Sequence, residues 1–257
     1  MTHTPSSHNA GFTLIELSVV LLILAIITAG ILSVINRKGD AENIDEVNEK
    51  LDVIEQAIGR YIALNEHLPC PAPMDAPENT ASFGFATDCT ATPVTDETWE
   101  TGTGTETIRF GALPTRTLGL SDKMAIDAWK GRIGYAVIKD LALDDVTFES
   151  YGTSATDGVI SIHDSHGNQM TSSSASGVVS YVIISFGKDR NGTYTRSGSL
   201  SDGCISGRKQ TENCDFTVSF NNIFVDADIN DSDIAANYYY DFVRWKTYQR
   251  IKAYQKQ

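Results

Sequence analysis

An uncharged apolar run near the amino terminus, Leu17–Ile35, constrains this chain more than any other feature. It has nineteen residues, and its only polar members are Ser18, Thr28 and Ser33. As a helix rising about 1.5 Å per residue it would be roughly 28 Å long, which is about the thickness of the hydrocarbon core of a bilayer. A secretory signal peptide would have a basic start and a shorter apolar core. The run therefore predicts a transmembrane helix over residues 12–36.

A carboxylate, Glu16, stands at the front edge of this run. An acidic side chain inside a membrane costs roughly 2.5–3.5 kcal/mol, so it is normally paired. The order Gly11-Phe12-Thr13-Leu14-Ile15-Glu16 before an apolar helix resembles the processing site of type IV pilins and pseudopilins. The resemblance implies that residues 1–11 are a leader peptide, and that a prepilin peptidase cuts between Gly11 and Phe12 and methylates the new amino group.

The resemblance also implies an assembly role for Glu16, which would meet the cationic amino terminus of a neighbouring subunit. Two opposite charges about 4 Å apart attract by about 4 kcal/mol in an effective dielectric near 20, enough to offset the burial cost. The leader departs from the family because it has no lysine or arginine. The alternative interpretation of the run is an ordinary anchor whose glutamate lies at the headgroup level.

The rest of the chain predicts an α+β, pilin-like fold in which a long N-terminal helix packs on an antiparallel sheet. The helix continues as an amphipathic stem over residues 37–67. Its apolar residues recur at steps of three and four: Ile44, Val47, Leu51, Ile54, Ile58 and Tyr61. Prolines from Pro69 onward end the helix. A globular head with long loops follows over residues 68–233.

Segments rich in β-branched and aromatic residues predict the strands of the head: Arg132–Lys139, Gly158–His163, Val178–Phe186 and Asp215–Phe224. The tract from Met74 to Glu106 is expected to be mostly irregular, and a short helix is expected near Ser121–Ala125. Asp127-Ala128-Trp129-Lys130-Gly131 resembles the Asp-x-Trp-Gly segment of major pseudopilins, although a lysine precedes its glycine. Ser185-Phe186-Gly187 opens a glycine-rich loop similar to one in the same proteins.

Four cysteines lie in two close pairs, Cys70 with Cys89 and Cys204 with Cys214. Four cysteines allow three connectivities, and pairing within each local pair is the simplest. Disulfides persist in oxidising compartments, which favours a periplasmic or extracellular head. We therefore expect a single-pass inner-membrane protein with a periplasmic head, which reaches a periplasmic or cell-surface filament after assembly.

The charge distribution separates the head from the end of the chain. Residues 67–233 carry 11 basic and 23 acidic side chains, whereas residues 234–257 carry five basic side chains and one acidic. The acidic head argues against nucleic acid as a partner, because phosphate binding needs a positive field. Residues 234–257 are rich in aromatic residues and predict a basic C-terminal helix. That helix could pack on its own head, contact other subunits or a membrane, or stack single-stranded DNA.

Two polar clusters were weighed as sites of chemistry. Residues 161–166 contain serine, histidine and aspartate, but adjacent residues on a strand point to opposite faces, so no catalytic relay and no enzyme is expected. Oxygen-bearing side chains at Asp226, Asp228, Asn230 and Asp233 are of the type that calcium prefers. The EF-hand pattern fails there, and a solvated acidic loop is the simpler interpretation. The likeness to major pseudopilins, which bind calcium in a late loop, keeps calcium open, and no other cofactor is expected.

The sequence as a whole favours a structural subunit, of minor type, of a type II secretion pseudopilus or a type IV pilus. Its expected partners are other pilin or pseudopilin subunits, the prepilin peptidase and the inner membrane. The alternative is a periplasmic binding or sensor module on an uncleaved single-pass anchor.

Overall fold

The computed structural model describes residues 14–90, 99–103, 106–143, 160–171, 177–217, 221–232 and 234–256, and the side chains of residues 28–38, 99–103, 106, 217, 255 and 256 are outside that description. The chain divides into two units, residues 1–44 and 45–257. The architecture is α+β, as predicted, with an N-terminal helix, an antiparallel sheet and a short C-terminal helix.

The N-terminal helix, α1, spans Leu14–Asn65. It ends because Glu66 adopts a left-handed backbone with a φ of 63° and donates its N–H to the carbonyl of Ile62 at 2.9 Å, which is a common geometry for terminating helices. Within the second unit, the predicted stripe is confirmed: Val47, Leu51, Ile54 and Ile58 are fully buried. Tyr61 is only half-buried, and Ile62 takes the next core position.

Within the described part of the chain, seven strands form two sheets. In chain order they are β1 Trp99–Thr103, β2 Glu106–Ala112, β3 Gly134–Ile138, β4 Ser161–His163, β5 Val179–Ser185, β6 Ile223–Val225 and β7 Phe242–Thr247. The main sheet has the order β1-β2-β3-β5-β7, and all of its pairings are antiparallel, as expected. Every residue of β3 and β5 is buried, so these two central strands form the core. They confirm the predicted strands Arg132–Lys139 and Val178–Phe186.

The two remaining predicted strands are much shorter in the structure than the sequence predicts. Strand β4 is the end of the predicted Gly158–His163, of which residues 158 and 159 lie outside the described part. The predicted Asp215–Phe224 is wrong at its start, because a helical turn, α2 Thr211–Cys214, continues as a 3-10 turn through Thr217. Only the short β6 follows, and it pairs with β4 in parallel, outside the main sheet.

The predicted helix over residues 234–257 is wrong for most of its length. Phe242–Thr247 form the edge strand β7, paired with β5. Its side chains alternate as in any strand: Arg244 and Lys246 reach toward α1, while Trp245 between them reaches Asp226. Helix is confined to α3 Tyr248–Lys252 and a 3-10 turn, Ala253–Lys256.

The tract from Met74 to Glu106 is less irregular than predicted. It contains β1 and the first residue of β2, which pair as a hairpin in the register Trp99 with Phe110. The predicted short helix near Ser121–Ala125 is confirmed as a 3-10 turn, Asp122–Ala125, in which the Ser121 hydroxyl accepts from the Lys123 N–H.

Candidate functional site

The first unit presents an unshielded apolar helix. All of its large apolar side chains from Leu14 to Ile27 are exposed, by 49% for Val19 and by 88% for Leu14. A helix that is apolar on every side needs an apolar surrounding. Among the described residues, no helix combines the length and the apolar character needed to cross a membrane. The predicted segment 12–36 includes two residues and several side chains beyond that description.

Glu16 lies in the first turn of α1 and is exposed. A carboxylate is stabilised there because the unpaired N–H groups of a helix start carry partial positive charge. Nearby, the Ser18 hydroxyl donates to the backbone carbonyl of Ile15 at 2.8 Å. The hydroxyl therefore has a hydrogen-bond partner within the helix itself. Gly11 and Phe12, the predicted processing residues, lie outside the described residues.

Both predicted disulfides are confirmed, Cys70–Cys89 and Cys204–Cys214. The first closes the segment that follows the end of α1. The second joins the loop after β5 to α2.

The two short motifs that resemble pseudopilins meet in the core at Asp127. The Oδ2 atom of Asp127 accepts from the Ser185 hydroxyl at 2.7 Å. Its Oδ1 atom accepts from the backbone N–H groups of Trp129 at 3.0 Å and Gly131 at 2.8 Å. A left-handed backbone at Lys130, with a φ of 74°, brings these two N–H groups onto one oxygen. The junction therefore links the turn before β3 to the end of β5.

This junction is tightly enclosed. Asp127 is only 2% exposed, and burial raises its pKa to about 6, against the lowering effect of the hydrogen bond from Ser185 and those from Gly131 and Trp129. At Gly131 an added Cβ would lie 2.8 Å from Thr193 Cγ2, so the close packing there requires glycine. The carboxylate of Asp127 holds the turn before β3 against the end of β5, and it has no exposed face for a ligand.

The end of the chain packs on its own head, which confirms the first of the three roles considered for it. Tyr239, Tyr248 and Ile251 are almost completely buried. Polar contacts join β7 to the stem part of α1: Arg244 donates to Asn48 Oδ1 at 2.6 Å, and Lys246 pairs with Glu55 at 2.6 Å. Beyond them, the Tyr254 ring lies against Gly59, where an added Cβ would be 3.0 Å from the ring.

The residues weighed for calcium do not converge in the described part of the chain. Asp226 accepts the indole N–H of Trp245 at 3.0 Å, and the backbone of Asn230 pairs with Tyr239. Asp228 is exposed, and Asp233 lies outside the described residues. No group of three or more histidine, cysteine, aspartate or glutamate side chains among the described residues is placed to hold a metal. Calcium at this loop stays a prediction.

One polar contact was missed in the segment 161–166. The Ser161 hydroxyl lies 2.9 Å from His163 Nε2, since residues two apart on a strand share a face. Asp164 does not complete a relay, because it accepts the side-chain and backbone N–H groups of Asn168 and the backbone N–H of His166. These hydrogen bonds, led by the Asn168 side chain, lower the pKa of Asp164 to about 2. The segment therefore consists of β4 followed by a turn over residues 164–168, which the backbone hydrogen bond from the Asp164 N–H to the Asn168 carbonyl closes.

Comparison with known proteins identifies the N-terminal segment. The family model for the prokaryotic N-terminal methylation motif matches residues 6–32, a range that includes Gly11, Phe12 and Glu16. Neither the curated proteins nor the solved structures give a match. Such a motif marks structural subunits, and it implies processing by a prepilin peptidase and assembly with other pilin subunits. The chain carries, at residues 6–32, the signature of the type IV pilins and pseudopilins.

Proposed function

We propose that this chain is a minor structural subunit of a type II secretion pseudopilus or a type IV pilus. A prepilin peptidase cuts between Gly11 and Phe12 and methylates the amino group of Phe12. Before assembly, the precursor is anchored in the inner membrane with its head in the periplasm. It then enters the filament through its N-terminal helix.

The observation that carries the proposal is the methylation motif on a helix whose large apolar side chains from Leu14 to Ile27 are all exposed. In a filament these side chains pack against the same helices of neighbouring subunits. Glu16 is the one charged group among them, in the first turn of α1. The new amino group of Phe12 supplies the opposite charge in the next subunit, which fixes the register of the two chains.

Replacing this carboxylate tests the assembly step. We expect Glu16→Ala to be processed and inserted but to enter filaments poorly, because the amino group of the neighbouring subunit is then left without a counter-charge in an apolar stack. The measurement is the amount of the subunit in sheared filaments divided by its amount in the membrane fraction. Ser18→Ala, on the same helix, is the matched control and should assemble normally. Equal ratios for Glu16→Ala and the wild type would refute the role of Glu16.

A further inference from the structure

An open cleft of about 830 Å³ lies on the head. It is lined by Pro77, Glu78, Asn79, Asp122, Lys130, Arg190, Thr195, Arg196 and Ser197. Its volume is in the range of ordinary ligand sites. Two of the segments that line the cleft, residues 77–79 and residues 195–197, are held together through the buried Arg132. Its guanidinium donates to the carbonyls of Pro73 and Ala76, just before the first segment, and to the carbonyl of Thr195 in the second.

The acidic residues of the cleft are already neutralised. Glu78 pairs with Arg196 at 3.2 Å, and Asp122 pairs with Arg116 at 2.8 Å. Lys130 and Arg190 are different, since their backbones take part in turn hydrogen bonds but neither side chain makes a hydrogen bond or ion pair with any described residue. The cleft therefore holds two uncommitted cations on a chain with a net charge of −13.

Both uncommitted cations occupy strained backbone. Lys130 has a φ of 74° and Arg190 a φ of 53°, in the left-handed region that glycine occupies without penalty. Only one other described non-glycine residue, Glu66, has a positive φ. Strain of this kind tends to persist where a side chain has a task. At Lys130 the turn around Asp127 explains the backbone but not the long cationic side chain.

We propose that this cleft binds an acidic peptide segment, with Lys130 and Arg190 holding its carboxylates. The guanidinium of an arginine offers a fork that matches a carboxylate, and a lysine adds a mobile point charge. The hydroxyls of Thr195 and Ser197 and the amide of Asn79 give hydrogen bonds to the peptide backbone. None of the described lining residues is aromatic, so the cleft lacks a face on which a sugar ring or a base would stack.

The probe is a fluorescent eight-residue peptide of aspartate and glutamate, titrated with the full-length protein in a non-ionic detergent. We expect saturable binding that weakens steeply with salt, and no binding of the same peptide with asparagine and glutamine in place of the acids. Lys130→Gly and Arg190→Gly should each weaken binding about five-fold. Both should also leave the melting temperature unchanged or raise it, because glycine relieves the strained backbone.

Glu66→Gly is the matched control, since it relieves the same kind of strain at the end of α1, outside the cleft. It should leave binding unchanged. Absence of binding by the acidic peptide, or equal binding by the wild type and both cleft variants, would overturn the proposal. Binding of an acidic oligosaccharide or inorganic phosphate with equal affinity through the same residues would overturn the peptide assignment. Filament entry and processing are independent of these outcomes, so the proposed function stands or falls separately.

Discussion

Asp127 is a carboxylate that the head keeps almost completely buried, and its partners come from a hydroxyl and two backbone N–H groups. Its pKa of about 6 in the folded chain is above the ordinary value of 3.8. The folded state therefore binds this proton more tightly than the unfolded state. The contribution of Asp127 to the unfolding free energy is fully present below about pH 3.8, and it is lost as the pH rises through about 6.

Replacement of Asp127 by asparagine should remove this pH dependence. The amide oxygen can still accept the two backbone N–H groups, and the amide nitrogen can donate to Ser185. The unfolding free energy of the wild type minus that of Asp127→Asn should fall by about 2 kcal/mol between pH 4 and pH 7, from a shift of about two pKa units. Urea unfolding of the full-length protein in detergent, followed by tryptophan fluorescence, measures both curves.

An exposed aspartate provides the control. Hydrogen bonds lower the pKa of Asp164 to about 2, so its contribution is present above about pH 3.8 and is lost only at lower pH. The difference curve for Asp164→Asn should be flat from pH 4 to pH 7. A flat curve for Asp127→Asn as well would mean that Asp127 stays charged in the folded chain at pH 4.

Single residues were predicted best where chemistry is local. The cysteine pairs followed from their spacing. The likeness of two short motifs to pseudopilins drew attention to Asp127 and Ser185, but nothing in the sequence said that they bond to each other across 58 positions. The uncommitted cations Lys130 and Arg190 had only one sequence signal, a lysine at a place where the family pattern moves directly to glycine. Their meeting in one cleft depends on loops that no periodicity describes.

At the scale of elements, the end of the chain is held by burial more than by charge. Ile251 on α3 is fully buried, whereas Arg250 beside it is exposed. We expect Ile251→Ala to lower the unfolding free energy by about 2–5 kcal/mol, the usual cost of truncating a core isoleucine. Thermal and urea unfolding of the full-length protein measure it.

Arg250→Ala, on the same short helix, should change the unfolding free energy by less than about 0.5 kcal/mol, because exposed charges contribute little. Equal losses for the two variants would indicate that charge attraction holds the segment. No loss for either would indicate that α3 does not pack on the head in solution.

The elements were predicted unequally. The stem part of α1 shows a clear 3.6-residue repeat, and β3 and β5 are rich in β-branched residues and tyrosine, so the sequence predicts all three elements. The sequence predicts helix where the structure has strand β7, because aromatic and basic residues interleave at uneven spacing over residues 234–257. The side chains of β7 alternate between the two faces of the sheet. Arg244 and Lys246 lie on the face that packs against α1, where they contact Asn48 and Glu55. Tertiary contact, and not local preference, decides this segment.

At the scale of the whole molecule, the two units differ in how they treat their apolar side chains. The second unit buries its own core and is complete as a folded head. The first unit exposes its large apolar side chains from Leu14 to Ile27, and these need an apolar surrounding. That contrast, together with the methylation motif at residues 6–32, supports a subunit that assembles through its amino-terminal helix.

The mass of the mature chain tests this account most directly. The membrane form is purified from cells with an active prepilin peptidase and measured intact, with the protein from a peptidase-deficient strain as control. We expect the loss of residues 1–11 and the gain of one methyl group on Phe12 in the first sample, and the full precursor in the second. A chain that still begins at Met1 in cells with active peptidase would contradict the account and favour an uncleaved anchor.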